Sequence, residues 1–526
     1  MESIGWPMDP SPGLSHRPSL VPQPSADPHD PLNWSTKWKL MAIIPHLLAT
    51  FVSCASALSM SPMFPYFAEE FHLDDTQLLL LTGVCILTFA YANFIAVPCS
   101  NIFGRRMTFF IFTAISIASY IWQARATSYP SLLVARVLNG IGAAINETMP
   151  VQIIADMFFL HERGRWMMTY FSTTSLGAYL GPVISGNITQ RFGWRSFFWL
   201  SMALTCFNFL TVLLLYPETK YRRDPDWELR QACHLSQPLP PPPPLPSEKP
   251  ITPTISPKTI IPSPPHPTHE HGTPSRTQFH LWRTPDQRWK SFLLRDILTP
   301  FRITLYPIIL WTGLTAAGPG NVVLLWNLTE STVLNSPPYN FTPSQVGYSN
   351  FSFVIGVLIG LLTAGPLSDW TAMRATSRNT NHIYEAEMRL LSLIPFVLLV
   401  LLSVLIGAFA ITNLWPWPVI LVVGYGLSGL FSAAIASIVV AYAVDCYKPI
   451  AGEIMIVVTV VRNTCGFSMS YWVPGLAGKS ELGFLVPAVV QLGVTVGPLV
   501  LGVGVYMFGK TMRRWTRGEW VHFLGE

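Results

Sequence analysis

Apolar runs of roughly twenty residues recur along this chain, each long enough to cross a bilayer core about 30 Å thick at a helical rise of about 1.5 Å per residue. They fall at about 39–63, 76–99, 106–125, 130–157, 165–187 and 195–216, and again at about 302–328, 343–367, 388–412, 416–443, 450–474 and 482–508. This pattern predicts an all-α membrane protein with twelve transmembrane helices, arranged as six plus six around a long polar interval. Only 12% of the 526 residues are charged, against about 25% in a soluble domain, and 50% are hydrophobic. A mean hydropathy of +0.38 excludes a disordered chain, a collagen-like fibre and a nucleic-acid binder with a basic face. The formal charge of +5 is small for the length and reads as loop asymmetry. The seven cysteines lie mostly in apolar runs and form no CxxC pair, so neither a disulfide framework nor a zinc site is expected.

The domain boundaries follow from the spans. Residues 1–38 are an N-terminal tail, 39–216 a first six-helix bundle, 217–301 a linker, 302–508 a second bundle and 509–526 a C-terminal tail. The start is rich in Pro, Ser and Asp and lacks the short apolar core of a signal peptide, so the first span is expected in the mature protein. Short loops and tails on one side hold fourteen Lys and Arg residues, among them Lys37, Lys39, Arg105, Arg106 and Arg513, against four on the other: Arg125, Arg191, Arg195 and Lys479. The asymmetry places both termini in the cytoplasm, and the cell membrane is the expected location. Asn340-Phe-Thr342 then lies outside as a glycosylation acceptor, whereas Asn33-Trp-Ser35 stays inside and inert.

About fifteen prolines fall within 236–275, including the run Pro240 to Pro244, and favour an extended, semi-rigid tether. His266, His269 and His271 lack a second ligand cluster and read as solvated linker residues, so no metal and no cofactor is expected.

Several residues carry chemistry. Pro98-Cys-Ser-Asn101-Ile-Phe-Gly104-Arg105-Arg106 follows span 2; Gly104 permits a sharp turn, and the arginines are expected to anchor it at the anionic membrane face. Gly365-Pro-Leu-Ser-Asp369 follows span 8, and a loop signature recurring six helices later points to an internal duplication. In span 4, Arg136 costs about 2.5–3.5 kcal/mol inside a membrane and needs a partner, a wet cavity or an escape to the surface. Glu147, three turns further on, must be protonated, paired or hydrated, which suits proton carriage, capture of a cationic substrate or a structural hydrogen bond. Asp156 reads as a charge at the end of the span. Gly177 and Gly181 share one face of span 5 and admit a close helix neighbour, Pro182 bends it, and Gly186 follows. Asp445 and Glu453 are expected at the cytoplasmic rim, contacting Arg105, Arg106 or Lys448, while Arg462 needs a partner from another helix or a wet cavity. Trp326, Tyr425 and Tyr471 are candidates for a cavity wall.

These residues resemble the major facilitator superfamily. Its signature loop, Gly-x-x-x-Asp-x-x-Gly-Arg-Arg, is kept as Gly104-Arg105-Arg106 with Asn101 in place of Asp, and as Gly365 and Asp369 in the second half. Arg136-Val-Leu-Asn-Gly140-Ile-Gly142 is similar to the family's Arg-x-x-x-Gly-x-Gly, and Gly177 to Gly186 resembles its antiporter motif with one glycine missing. Asp30-Pro-Leu-Asn-Trp34, Pro217-Glu-Thr219 and Glu385-Ala-Glu-Met-Arg-Leu390 narrow the likeness to fungal carriers, in the branch holding the yeast histidinol and polyamine carrier. The resemblance implies two six-helix bundles about a mid-membrane cavity, a small-molecule substrate and a proton as partners, and a monomer in the bilayer. Export of a secondary metabolite, toxin or drug is the leading expectation; uptake of an organic cation such as a polyamine is the alternative, and a transporter-fold nutrient sensor a third. An enzyme is not expected, because no HExxH, GxSxG or P-loop pattern occurs.

Overall fold

The computed structural model describes Ser25 and residues 27–221, 272–280, 289–378, 386–447, 451–479 and 483–516. The proline run, His266, His269, His271 and Lys448 lie outside these residues. Spans 1 to 3 are the helices Thr36–Leu58, Asp75–Phe103 and Arg105–Ala124. Span 4 is two stacked helices, Tyr129–Ala143 and Ile145–Met157; spans 5 and 6 are Leu160–Phe192 and Trp194–Leu215. In the second half, span 7 is Pro307–Leu334, span 8 runs from Pro343–Ser349 into Phe351–Arg378, and span 9 is Ile394–Thr412. Span 10 opens with the π-helical stretch Ile420–Gly426 and continues as Leu427–Cys446; spans 11 and 12 are Ala451–Lys479 and Leu485–Trp515.

Local chemistry sets these boundaries. Asp74 and Gln77 cap the start of span 2 reciprocally, and Thr342 and Gln345 do the same for span 8. Gly104, at φ 100°, lets span 2 turn directly into span 3; a β-carbon there would run into the Glu218 carboxylate. Among the described residues ten helices are long and apolar enough to cross a membrane, and spans 4 and 5 are not among them. Span 4 is divided at Ala144 and carries Arg136, Glu147 and Asp156; span 5 is rich in Ser, Thr and Gly. In span 4 the Arg136 and Glu147 side chains are buried among other helices, so their polarity meets protein rather than lipid. The outer surface is the reverse: Leu305, Leu362 and Leu214 are 80%, 77% and 72% exposed, as an acyl-chain interface requires.

The halves meet mainly at one end, the one at which span 7 leads into span 8. There span 5 packs on the start of span 8, and span 2 on span 11. Gly186 lies against the Pro343 carbonyl and Gly347 against that of Pro182, while Tyr348 donates its hydroxyl to Asn187 Oδ1 at 2.7 Å. Ser470 Oγ donates to the Leu79 carbonyl at 3.2 Å. At the opposite end, parts of the polar interval are knitted to the first half. Ser35 N donates to the Gly272 carbonyl at 3.0 Å, Gly272 N to Asn33 O at 2.9 Å and Glu218 N to Gln278 O at 2.9 Å. The helix Trp289–Thr304 then packs on span 2, with Phe301 stacked on Phe94 at 4.8 Å. The described parts of the interval are thus docked structure rather than free spacer.

Candidate substrate and coupling site

Glu147 owes its position to a defect in span 4. Pro150 has no N–H to donate, which frees the Asn146 carbonyl, and Thr50 Oγ1 of span 1 donates to it at 3.1 Å. Tyr170 of span 5 donates its hydroxyl to the Glu147 carbonyl at 2.6 Å, and Asn146 Nδ2 donates to Ser53 Oγ at 2.7 Å. The backbone around Glu147 is therefore clamped by spans 1 and 5, and its side chain is aimed at the second half.

There Glu147 Oε1 accepts from Arg462 Nη2 at 2.8 Å and from Thr459 Oγ1 at 3.0 Å, both on span 11. The Glu147 side chain is 9% exposed and that of Arg462 38%. Arg462 Nε donates to Asn463 Oδ1 at 3.1 Å, and Gly320 of span 7 leaves room for the arginine stem. Glu147 Oε2 is buried and has no partner among the described residues. Of the sequence expectations, the Arg462 partner from another helix is met, and the partner is Glu147. Cys54 of span 1 and Tyr170 border the same carboxylate. A separate cavity of about 10 Å³ inside the first half, lined partly by Ser53, Asn146 and Asn208, has room for about one water and is too small for an organic solute.

Of the three expectations for Arg136, a partner is met, and a wet cavity or a surface escape is not. Arg136 is fully buried and donates to the carbonyls of Leu81 (3.0 Å), Ser56 (3.1 Å) and Ala57 (2.8 Å). Ser56 and Ala57 lie in the last turn of span 1, where carbonyls lack helical partners and the dipole favours a cation. Arg136 is a strut between spans 1, 2 and 4.

The first signature loop also departs from expectation. Arg105 and Arg106 are 9% and 3% exposed and bind protein rather than lipid headgroups. Arg105 Nη1 donates to Asn101 Oδ1 at 2.7 Å and Ser100 O at 2.9 Å, and its Nε meets Asp156 at 3.4 Å. Arg106 Nη2 donates to Leu213 O at 2.7 Å near the end of span 6. The Glu218 carboxylate accepts from both backbone amides, Arg105 N at 3.0 Å and Arg106 N at 3.1 Å, as an anion at a helix start. Asn101 Nδ2 donates to Asp296, so a carboxylate absent from position 101 arrives from the helix Trp289–Thr304.

Asp445 pairs with Arg389 at 3.6 Å, whereas Arg105 and Arg106 are engaged within the first half; the expected Lys448 contact lies outside the described residues. Glu453 lies in the first turn of span 11. Trp326 and Tyr425 are packed core rather than cavity wall: Trp326 donates to Ser428 Oγ at 3.0 Å, and Tyr425 stacks on Phe353 at 4.8 Å. Tyr471 is exposed, with its ring edge-on to Phe467. Gly177 and Gly181 meet the backbone of span 1 at Phe51 and Ala55, Pro182 and Gly186 lie on the seam between halves, and Gly365 has open space around it. Asp369 lies in the helix Phe351–Arg378, and Asn340 is exposed in the loop before span 8. Sequence reasoning missed Thr459, Tyr170, Glu218 and Glu330. Glu330 was missed because the expected end of span 7 fell two residues short of it; an acid inside an apolar run was the available signal.

Residues 47–447 match the Major Facilitator Superfamily. The chain is 25% identical to protein HOL1 of Saccharomyces cerevisiae, over 95% of this chain and 90% of that protein. It is also 25% identical to the MFS-type transporter penM of Penicillium rubens, over 89% and 86%, and 27% identical to the MFS transporter cpaT of Aspergillus oryzae, over 93% and 90%.

Proposed function

We propose that this chain, which belongs to the Major Facilitator Superfamily and is a transporter rather than an enzyme, exports a small organic molecule in exchange for protons. The observation that carries this reading is the Glu147–Arg462 hydrogen bond, which spans the two halves. Halves that rock about a central site must break and remake any such bond. A proton on Glu147 removes the charge that holds Arg462, so protonation loosens the crossing and frees a guanidinium for substrate. Deprotonation restores the pair.

Uptake of an organic cation is the second reading, with Glu147 as counter-charge. The pair disfavours it, because Arg462 and Thr459 already occupy Oε1 and a cationic substrate would have to displace the arginine. The cell membrane with both termini in the cytoplasm completes the proposal. Loss of a glycosidase-sensitive mobility shift in Asn340→Gln would test the orientation.

The functional test compares metabolites of knockout and parent cells and their media, then measures proton-driven transport of the accumulated compound in vesicles. Export predicts retention of the compound inside knockout cells and abolished proton drive in Glu147→Gln. Unchanged proton-driven transport in Glu147→Gln ends the coupling role. Loss of growth on external polyamine, without retention of any compound, transfers the assignment to uptake.

A further inference from the structure

Glu330 is fully buried four residues before the end of span 7, away from the coupling pair. Its carboxylate accepts from Asn350 Nδ2 at 2.9 and 3.1 Å and, more weakly, from Asn327 Nδ2 at 3.4 Å. Ser61, on the turn after span 1, lies beside it from the other half. No described lysine, arginine or histidine pairs with it. The turn Ser61–Met63 and the stretches Pro343–Ser349 and Ile420–Gly426 carry no charged residue; their titratable groups are Tyr348, bonded to Asn187, and Tyr425, which faces Glu330. Span 11 brings Arg462, engaged with Glu147, and Glu453, while spans 10 and 12 carry Asp445, Lys510, Arg513 and Arg514 at the opposite end.

An ionised carboxylate buried among neutral amides lacks the compensation that a cation or water supplies. A protonated carboxyl fits the same place. Asn350 Oδ1 is buried beside it without a donor, and an acid O–H is the donor that would complete a reciprocal acid–amide pair after a small rotation of the amide.

We infer that Glu330 is a second protonation site, holding a proton while the outer seam between the halves is shut and releasing it when that seam opens to water. The seam closes over it through Ser61, so shutting it removes the carboxyl from solvent and takes up one proton. Closing is then favoured at low external pH and opening at high pH. This inference uses the alternating-access reading only in that the seam must open, and it is independent of any role for Glu147.

The test places spin labels at Arg191→Cys and Thr332→Cys, on either side of the seam, in full-length protein with native cysteines replaced and reconstituted in lipid. The distance distribution is recorded against pH. The parent is expected to show shut and open populations whose ratio falls by up to about tenfold per pH unit. Glu330→Gln should stay shut and lose the closing on acidification, whereas Glu147→Gln should keep that closing. Asn350→Leu, which removes donors to the charged form, should move the midpoint to higher pH and serves if Glu330→Gln does not accumulate. Undiminished closing on acidification in Glu330→Gln, or an unmoved midpoint in Asn350→Leu, overturns the inference. A single shut population under all conditions in every variant overturns alternating access instead, and with it the seam opening on which this inference depends.

Discussion

Glu147 Oε1 and Arg462 Nη2 are 2.8 Å apart and tie span 4 to span 11, with the carboxylate the more deeply buried partner. Removing the arginine alone leaves a sheltered carboxylate to be neutralised by a proton, whereas removing both charges leaves nothing to compensate. A double-mutant cycle with Glu147→Gln and Arg462→Gln is expected to give a coupling of about 1–3 kcal/mol, read from unfolding of the solubilised protein. Additive effects would show that the pair contributes nothing to the closed arrangement.

Arg136 serves three carbonyls on two helices with one planar group. An ammonium cannot reproduce that geometry, so Arg136→Lys should destabilise as well as Arg136→Met. Loss of roughly 3 kcal/mol or more is expected for the methionine variant, because buried carbonyls lose their donors. Melting temperature in detergent checks it; an unchanged value would remove the strut role.

Asn101 stands between Arg105 and Asp296. Asn101→Asp gains attraction to the arginine but sets two carboxylates against each other. Asn101→Asp with Asp296→Asn is expected to be more stable than Asn101→Asp alone by about 1 kcal/mol. Equal stability would mean that Asp296 does not supply the charge at this loop.

Outside the spans, Glu70 meets Arg195 Nη2 at 2.6 Å and accepts from Trp194 Nε1 at 2.8 Å. The Arg195 hydrogen bond holds the Glu70 carboxyl below the usual carboxylate range. A depressed folded-state value means that this contribution is present above the unfolded-state value and lost as pH falls through the folded one. Glu70→Gln should therefore flatten the acid limb of the pH–stability curve and leave neutral pH little changed, since the pair is exposed to screening. An acid limb identical to that of the parent would refute this.

Span positions were legible because hydropathy is local, and Gly177 and Gly181 announced a close helix neighbour because a missing side chain has few other uses in a membrane. Arg105 and Arg106 were misplaced for the opposite reason. Loop position and charge alone do not say whether an arginine meets a lipid phosphate or the end of a neighbouring helix. Trp326 and Tyr425 are only candidates for a cavity wall in the sequence, because an aromatic in an apolar run looks the same whether it lines a chamber or fills a core.

Composition and spacing by themselves determined that this chain crosses a bilayer repeatedly in two related halves, since the cost of burying polar groups in lipid constrains each segment separately. Which charge neutralises which was decided only by the tertiary structure. Glu147 and Arg462 stand 315 residues apart, and Asn101 is joined to an aspartate 195 residues away. Electrostatic partners are chosen by distance in space, and that distance exists only once the helices have packed.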